Sequence, residues 1–332
     1  MRSVDRYCLD VAVTRGGTVE SRHRVHAAVV GPNDRLIGHA GDPGIVSFWR
    51  SGAKPFQLIP FVADGGVDAL GWGEDELALA CGSHGGEPEH VAIAESMLSD
   101  IGLEEGDLAC GIHEPLSARG VRLARETGTR LSRLHNNCSG KHAAMLGRAH
   151  AAGWMTAGYE RDGHPVQQGA VEVIGQWTDV PVSALRIGTD GCGVPVVALP
   201  LEHMARAYAR LAVATARGEE VPTRVVHAMI ARPFMVGGTE RFDSIMIEET
   251  EGRVVAKVGA EGVHSAAIPG LGIGVTIKVE DGAQRAQYPA LIRLLQLIDA
   301  LPERLPQRLA DQLYKPVRNT RNAIVGEIGP LV

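Results

Sequence analysis

The sequence lacks long blocks of like charge and long uninterrupted apolar segments. Its 33 Lys and Arg residues and 39 Asp and Glu residues leave a formal net charge of −6. Because both signs are spread along the chain, it offers no basic footprint for nucleic acid or anionic lipid. The longest uncharged apolar stretch, Ser265 to Ile277, falls well short of the roughly 20 residues that span a bilayer. Nucleic acid and membrane are therefore not expected partners.

Cysteine is also scarce, and its spacing excludes the common frameworks. The five residues are odd in number, widely separated and contain no C-x-x-C pair: Cys8, Cys81, Cys110, Cys138 and Cys192. This pattern favours a reduced compartment over a disulfide scaffold. The first eight residues lack the apolar core of a secretory signal, so we expect a cytoplasmic protein.

The periodicity predicts a mixed α/β (α+β) fold. Alternation over residues 25–30 and 35–40, on either side of a Gly-Pro-Asn-Asp turn, predicts a hairpin. Helical spacing dominates from Ser51 onward, and a closing helix is predicted at about 285–300. Four short β-branched runs predict late strands: Ser244 to Glu248, Val254 to Val258, His264 to Ile268 and Gly272 to Val279.

This order predicts one two-lobed catalytic domain over residues 1–332. One antiparallel sheet would be built from both chain ends, about 1–50 and 240–332, and a helical lobe at about 51–239 would be inserted between them. The 332 residues lie near the roughly 250 to 300 at which a single core stops growing. No fixed-period repeat, low-complexity segment or linker divides the chain.

The first candidate site is Ser51-Gly52-Ala53-Lys54. A helical turn brings a serine near a lysine three residues later, and an amine that has lost its proton can activate a hydroxyl. If a helix began at Ser51, its free N–H groups would form an oxyanion hole. However, Pro55 biases Lys54 away from helical dihedrals, and the four-residue pattern alone is weak.

The second candidate is the glycine-rich turn Cys81-Gly-Ser83-His84-Gly-Gly-Glu87. Ser83 lies where backbone can approach a ligand closely, although a plain helix-entry loop has the same composition. The spacing His84-x-x-Glu87-x-x-His90 resembles a metal pattern. Intervening Gly and Pro residues would break the helical face that such a site requires, so we reject it.

The third candidate is the polar run from His135 to His142, followed by an Ala-rich helix. Its density of donors predicts a site loop in which His135 and Asn137 are candidate substrate-binding residues. It is not a phosphate loop, because Gly140-Lys141 is followed by His142 instead of Ser or Thr. Cys138 could bind zinc together with Cys192, but from spacing alone buried inert thiols are the commoner case.

Lys257-Val258-Gly259 closes a predicted strand. It resembles the Lys-x-Gly strand of serine acyl enzymes that use Ser-x-x-Lys. The ordered set of Ser-x-x-Lys, a serine loop in the helical region and a late Lys-x-Gly strand is more specific than any one member. Ser-Lys acyl chemistry is thus the leading hypothesis.

Five motifs in order resemble the rhizobial-type L-asparaginases of the asparaginase II family, over about residues 20–330. They are Ser-Gly-Ala-Lys-Pro-Phe-Gln, Cys-Gly-Ser-His-Gly-Gly-Glu, His-Asn-Asn-Cys-Ser-Gly-Lys-His, Gly-Thr-Asp-Gly-Cys-Gly-Val-Pro and Lys-Val-Gly-Ala-Glu-Gly. The resemblance implies a serine β-lactamase-like fold, a homodimer, and hydrolysis of L-asparagine to L-aspartate and ammonia.

The resemblance also implies residue roles. Ser51 with Lys54 would form one catalytic Ser-Lys pair, and Ser83 with Lys257 a second, although Lys278 on another late strand is an alternative to Lys257. Cys138, Lys141 and Cys192 would bind a zinc ion that positions the substrate. Asp190 would orient substrate or water beside it. Zinc with an amine ligand requires Lys141 to lose its proton.

Two other functions fit parts of the sequence. A penicillin-interactive peptidase or β-lactamase has the same Ser-x-x-Lys and Lys-x-Gly motifs, but the missing export signal argues against this function. A cytoplasmic amino-acid or zinc sensor would use the same loops to bind without turnover.

Overall fold

The computed structural model describes residues 4–331. The strands are β1 (Asp5–Tyr7), β2 (Val11–Arg15), β3 (Thr18–His23), β4 (Val25–Val30), β5 (Leu36–Ala40), β6 (Val46–Phe48), β7 (Arg186–Thr189), β8 (Pro195–Pro200), β9 (Val255–Val258), β10 (Val263–Ile268), β11 (Ile273–Val279), β12 (Lys315–Arg318) and β13 (Ile324–Pro330).

The α-helices of the described chain are α1 (Lys54–Ala63), α2 (Gly66–Ala69), α3 (Glu74–Cys81), α4 (Pro88–Ser99), α5 (Ala118–Thr127), α6 (Ser139–Ala151), α7 (Pro165–Thr178), α8 (Leu201–Ala216), α9 (Glu220–Ala231), α10 (Pro233–Val236), α11 (Phe242–Glu249), α12 (Gln284–Leu297) and α13 (Gln307–Leu313). None of these helices within residues 4–331 is both long and apolar enough to cross a membrane.

The described residues divide into two compact units. The sheet unit comprises the described residues up to Gly52, together with Leu199–Ala216 and those from Glu249 onward. The helical unit comprises Ala53–Ala198 and Arg217–Glu248.

The sheet unit is organised by a six-stranded sheet with the order β1-β5-β4-β11-β10-β9. Its central strands β4 and β10 are buried along their whole length, as expected for strands covered on both faces. Helix α8 packs against β4, β10 and β11, and α12 contacts β10 and β11. A second sheet, ordered β12-β13-β2-β3, contacts α12 through β2 and β13.

The structure confirms the predicted hairpin, since β4 and β5 pair antiparallel. The prediction of one antiparallel sheet is wrong in two respects. Strand β1 pairs parallel to β5, and the described residues form a second sheet from short strands near both chain ends. Those strands were missed because strands such as β3 and β12 are mostly exposed or half-exposed, so no buried alternation identifies them.

The predicted strand from Ser244 to Glu248 is wrong, because this segment lies in helix α11. All of Ile245, Met246 and Ile247 are buried. A short continuous apolar run of this kind cannot be assigned to helix or strand from periodicity alone. The Ser244 hydroxyl donates to Pro233 O at 2.7 Å and accepts from Gly238 N at 3.0 Å, which fixes the start of the helix.

The predicted helical lobe at 51–239 also included residues 199–216, which belong to the sheet unit. The physical reason is a close approach between α8 and β11 at Gly274. A Cβ on Gly274 would lie 2.0 Å from Ala209 N and 2.2 Å from Ala205 O. Only a residue without a side chain lets the helix backbone approach the strand this closely.

The helical unit is built around α1 and α3. Helix α1 packs against α3, α6, α7 and α9, and α3 packs against α6, α9 and α10. Strands β7 and β8 form an antiparallel hairpin whose turn spans residues 190–194. Two loops of this unit carry most of the candidate site residues. We call residues 82–87 the serine loop and residues 135–139 the thiol loop.

We predict that Gly274→Ala destabilises the protein by about 3 kcal/mol or more, because the added methyl must push α8 off the sheet. Chemical denaturation followed by circular dichroism measures this loss. Gly270→Ala is the matched control, since Gly270 is exposed and a Cβ there has no atom within 4 Å. Equal stability of the two variants would contradict the packing argument.

Candidate active site

Ser51 lies in a turn of the sheet unit that is held from both sides. The turn is the 3-10 segment Arg50–Ala53, which leads directly into α1. The Trp49 indole donates to Ser265 Oγ at 3.1 Å, and the Tyr208 hydroxyl donates to Gly52 O at 2.7 Å. The α-helix therefore begins at Lys54, and Pro55 lies in its first turn, where its missing N–H costs nothing.

Arg50, directly before Ser51, has a positive φ of 54°. This left-handed conformation is uncommon for a residue with a side chain and costs on the order of 1 kcal/mol. It persists because the Trp49 and Tyr208 contacts on either side determine the path of the turn. Strain of this kind is concentrated at functional sites.

Lys257 is fully buried on β9, in a polar row of the sheet unit. It lies opposite Ser265 on β10, which lies opposite Thr276 on β11, so their side chains share one face. Ser265 and Thr276 hydroxyls are 2.8 Å apart. Because Ser265 also accepts from Trp49, this row lies beneath the turn that carries Ser51.

Lys278, the alternative to Lys257, is engaged at the strand end. Its ammonium group donates to Val279 O and, at 3.3 Å, to Glu280 O. Partial burial lowers its pKa, although Glu261, Asp281 and Glu280 oppose the shift.

In the helical unit, the Lys54 amine is buried between the serine loop and the thiol loop. Its Nζ lies 2.5 Å from Gly82 O, 3.1 Å from Asn137 O and 3.3 Å from Ser83 Oγ. Only 1% of Lys54 is exposed. The sequence motifs paired Lys54 with Ser51, and within this unit the hydroxyl that the amine contacts belongs to Ser83.

The serine loop is fixed by close backbone packing. Ser83 N donates to Val236 O at 2.9 Å. A Cβ on Gly82 would lie 2.7 Å from Met235 O and 2.8 Å from Val236 O, so a larger residue cannot occupy that position without moving the loop. Glycine is therefore needed at position 82 for close approach to protein backbone, whereas approach to a ligand, as expected from the sequence, stays a prediction.

A buried ion pair holds the end of the serine loop. The fully buried Glu87 carboxylate accepts from Thr239 N at 2.7 Å, from Thr239 Oγ1 at 2.8 Å and from Arg119 Nη1 at 2.5 Å. Burial acts to raise the pKa of Glu87, but the hydrogen bonds from Arg119 and Thr239 outweigh it and lower the pKa. The rejected metal pattern of His84, Glu87 and His90 is thus a structural cluster, with Glu87 committed to Arg119.

In the thiol loop, side chains make hydrogen bonds to nearby backbone, and one backbone carbonyl contacts the Lys54 amine. His135 Nδ1 accepts from Ser132 N at 3.1 Å, a local cap. Asn136 Oδ1 accepts from Cys138 N at 2.9 Å, and Asn136 Nδ2 donates to Gly111 O. Asn137 contributes its backbone oxygen to Lys54. The substrate-binding roles of His135 and Asn137 remain predictions, and neither side chain has a described contact with the thiols.

Cys138, Lys141, Asp190 and Cys192 come together in the helical unit. Lys141 Nζ donates to Cys192 Sγ at 2.9 Å, and Cys192 Sγ lies 3.5 Å from Asp190 Oδ2. Cys138 is the N-cap residue of α6, although its side chain makes no capping hydrogen bond, and Lys141 lies near the start of that helix. Cys192 lies in the β7–β8 turn, where Gly193 has a φ of +92°. We call these four residues the thiol cluster.

The thiol cluster is a buried charge network. A hydrogen bond from Cys192, opposed by burial and assisted by Lys54 and Lys141, lowers the pKa of Cys138 well below that of a free thiol. The same bond, together with burial, raises the pKa of Cys192. Burial would lower the pKa of Lys141, but the negative charge of Cys192, Cys138 and Asp190 outweighs it and raises the pKa. Cys138, Lys141 and Cys192 therefore set one another's pKa.

The two thiols of the thiol cluster are ligands that zinc binds as thiolates. The amine of Lys141 lies outside the usual set of thiolate, imidazole and carboxylate ligands and would bind only after losing its proton. Within residues 4–331, no three His, Cys, Asp or Glu side chains are arranged to hold a metal, so such a site depends on Lys141. The 2.9 Å contact is a hydrogen bond, and zinc would need this nitrogen and sulfur about 3.5 Å apart and the amine unprotonated.

Sequence reasoning missed the groups that position these side chains. Gly82 O and Asn137 O hold the Lys54 amine, and backbone carbonyls leave no sequence signal. His84 Nε2 contacts Ser139 Oγ at 2.9 Å and joins the two loops. The sequence does not distinguish a buried histidine from an exposed one. Only the glycines near His84 indicated that it lies in a tightly packed loop.

The architecture defines a mixed α/β protein whose buried serine, lysine and thiol groups lie in the motifs quoted above. The sequence model of the L-asparaginase II family matches residues 11–330. The chain therefore belongs to the L-asparaginase II family, which confirms the family predicted from the motifs.

Similarities to other proteins are distant. The native form of Mglu is 16% identical with a TM-score of 0.46, over 83% of this chain and 64% of Mglu, so the chain spans less than two thirds of that protein. The Bacillus subtilis glutaminase YbgJ, in a covalent complex with 5-oxo-L-norleucine, is 16% identical with a TM-score of 0.37, over 83% of this chain and 86% of YbgJ. No curated protein matches the sequence.

We predict that Arg119→Ala destabilises the protein by about 3 kcal/mol at neutral pH, because it leaves the buried Glu87 carboxylate without its cation. Since the folded-state pKa of Glu87 is below its ordinary 4.5, the wild type holds this contribution above that pH and loses it as acid protonates the carboxylate. The stability difference should therefore shrink below about pH 4.5.

Denaturant titration at several pH values measures this difference. Arg122→Ala is the matched control on the same helix, because Arg122 pairs only with exposed Glu126 at 3.8 Å. If Arg119→Ala and Arg122→Ala lowered the free energy of unfolding equally, the ion pair between Glu87 and Arg119 would not hold the serine loop electrostatically. A loss for Arg119→Ala that does not depend on pH would show the same.

Proposed function

We propose that the protein is an amidohydrolase that converts L-asparagine to L-aspartate and ammonia by Ser-Lys nucleophilic catalysis. Its family membership supports the class of reaction. The observation that carries the mechanism is the buried Lys54 amine, held 3.3 Å from Ser83 Oγ by two backbone carbonyls. A lysine enclosed in this way is suited to accept a proton from a hydroxyl.

The contacts of Lys54 define what an unprotonated amine would do. Its two N–H groups would donate to Gly82 O and Asn137 O, which leaves the nitrogen lone pair for a serine hydroxyl. Ser83 Oγ lies at that third contact. The two carbonyls thereby orient the amine so that its lone pair is directed at the Ser83 hydroxyl.

In the proposed reaction, Ser51 is the nucleophile. Its oxygen attacks the side-chain amide carbon as its proton passes toward Lys54, with Ser83 as the relay. The C–N bond then breaks, the departing nitrogen takes the proton and leaves as ammonia, and an ester remains on Ser51. Water attacks this ester, which releases L-aspartate and restores the hydroxyl.

Lys257 is the second lysine in this proposal. Both lysines donate to the carbonyl of the next residue, so the support for Lys257 is its full burial and its place in the row with Ser265 and Thr276 beneath the turn that carries Ser51, whereas Lys278 is only half-buried. The serine β-lactamase-like fold is likewise part of the proposal. The sheet from both chain ends, interrupted in sequence by a helical unit, is consistent with it.

We further propose that Cys138, Lys141 and Cys192 hold zinc, with Asp190 beside it. When bound, zinc would supply a positive centre that orients the amino acid. Dimer formation and a cytoplasmic location belong to the same proposal.

The two rival functions predict different products. A penicillin-interactive enzyme would turn over nitrocefin and release no ammonia from asparagine. A sensor would bind the amino acid tightly without product, which a single-turnover assay detects.

We predict that Ser51→Ala lowers ammonia release from L-asparagine by about 10³-fold or more, because no other group replaces the nucleophile. The measurement is ammonia release by wild type and variant, with L-glutamine as the comparison substrate. Lys54→Met should cause a loss of similar size, since the base is removed while the aliphatic stem is kept.

Thr178→Val is the control for these variants, because it removes a buried hydroxyl that donates to Ile174 O at 2.7 Å within α7 and removes no proposed reacting group. Wild-type rates in Ser51→Ala would show that the nucleophile is assigned incorrectly. Wild-type rates in Lys54→Met would remove the proposed base.

We predict that Cys138→Ser and Cys192→Ser each lose most of the bound zinc, from about one ion per chain, and raise KM more than they lower kcat. Elemental analysis and steady-state kinetics measure both effects. Cys110→Ser is the matched control, because burial raises the pKa of that thiol to about 12 and it lies outside the thiol cluster. Unchanged zinc content and KM in the Cys138 and Cys192 variants would refute the metal role.

A further inference from the structure

Two bridges join the serine loop to the thiol loop inside the helical unit. The first is the Lys54 amine, which contacts Gly82 O and Ser83 Oγ on one loop and Asn137 O on the other. The second is the imidazole of His84, which contacts Ser139 of the thiol loop. Only the first contains a proposed reacting group, so the second needs its own explanation.

The hydrogen bonds of His84 fix its tautomer. Gly86 N donates to Nδ1 at 3.2 Å, so in the neutral ring the proton is on Nε2. Nε2 then donates to Ser139 Oγ at 2.9 Å, and the Ser139 hydroxyl donates to Leu134 O at 2.9 Å. Every donor in this chain has one acceptor, so the bridge has a single arrangement.

The surroundings keep His84 in that form. The ring is fully buried and stacks on His90 at 5.0 Å between centroids, and His90 stacks on Phe234 at 4.7 Å. Burial, followed by the charges of His90 and Lys54, lowers the pKa of His84 well below that of a free imidazole. The ring therefore stays neutral and cannot rotate away without losing both the stacking and the hydrogen bonds.

The bridge joins residues that are next to proposed reacting and metal-binding groups. His84 directly follows Ser83, and Ser139 directly follows Cys138 and begins α6, which carries Lys141. If Lys141 and Cys192 held a metal ion, their direct 2.9 Å contact would be replaced by bonds to that ion. Ser139, in the helix that carries Lys141, contacts His84, the residue next to Ser83, through its hydroxyl.

We propose that His84 is a positioning residue that, through Ser139, ties the serine loop to the thiol loop, so that occupancy of the thiol cluster sets the alignment of Ser83 with Lys54 and hence the turnover number. This inference rests on the proposed function. It assigns to the thiol cluster an effect on kcat in addition to the effect on KM that direct contact with the substrate would give.

The test compares wild type and Ser139→Ala as full-length proteins, each zinc-loaded and metal-stripped. Ser139→Ala removes the acceptor of His84 and leaves every proposed reacting group in place. We expect kcat for L-asparagine in the loaded variant to fall about three- to tenfold, the size of one lost hydrogen bond. The ratio of kcat with and without zinc should also fall from its wild-type value toward one.

Two further variants separate alignment from general stability. Thr178→Val deletes another buried hydroxyl, one that donates to Ile174 O at 2.7 Å within α7, and should leave kcat and the zinc ratio at wild-type values. Ser139→Thr keeps a hydroxyl and should recover most of kcat. Thermal unfolding and zinc affinity by chelator competition, measured on all four proteins, show whether each variant is folded and still binds the metal.

Three outcomes would overturn the inference. In the first, kcat of Ser139→Ala matches that of Thr178→Val. In the second, the zinc ratio of Ser139→Ala equals that of the wild type. In the third, zinc changes only KM in the wild type. By contrast, a wild type that releases no ammonia under any condition refutes the proposed function itself, so the two failures are distinguishable.

Discussion

The position of one buried amine governs the geometry of the helical unit's polar site. Lys54 is placed by α1, but its nitrogen is held by carbonyls of two other segments, Gly82 O and Asn137 O. A lysine side chain has four rotatable bonds, and enclosing it costs about 2 kcal/mol of side-chain entropy that those contacts must offset. Both loops must therefore be rigid before the amine can be directed at Ser83.

The rigidity of the loops comes from buried charges and rings that are fully partnered. Glu87 is satisfied by Arg119 and Thr239, and His84 and His90 are stacked and hydrogen-bonded as neutral rings. An unpartnered buried charge costs several kcal/mol, so each of these groups holds its neighbours in one arrangement. In the thiol cluster, the amine of Lys141 is likewise partnered by Cys192 at 2.9 Å, and zinc bound there would require the amine to lose its proton.

The sequence was informative where chemistry depends on residue type and uninformative where it depends on backbone. Ser51, Lys54, Ser83, Cys138 and Cys192 could be selected because few structural turns need those groups in that order. The carbonyls that hold Lys54 could not, since any residue supplies one. The second sheet and helix α11 were missed for a related reason: exposed strands such as β3 and short apolar runs such as Ile245 to Ile247 do not have a periodicity that distinguishes them. The assignment of α8 to the sheet unit depended on one glycine, Gly274, whose role appears only when the helix lies against it.

The turn at Ser51 and the thiol cluster are held by different kinds of contact. The turn at Ser51 is fixed by Trp49 and Tyr208, and it holds Arg50 in a strained conformation that a looser frame would release. The thiol cluster is held differently: its shortest contact joins the side chains of Lys141 and Cys192, and the turn that carries Cys192 is closed by hydrogen bonds from Asp190 N to Val194 O and from Gly193 N to Asp190 O, both at 2.9 Å. Ligand binding moves the parts that are held least, because displacing a side-chain contact costs less than displacing a packed backbone. In the proposal above, binding at the thiols is the event to which this unit responds, and the contact between His84 and Ser139 is what joins the serine loop to the thiol loop.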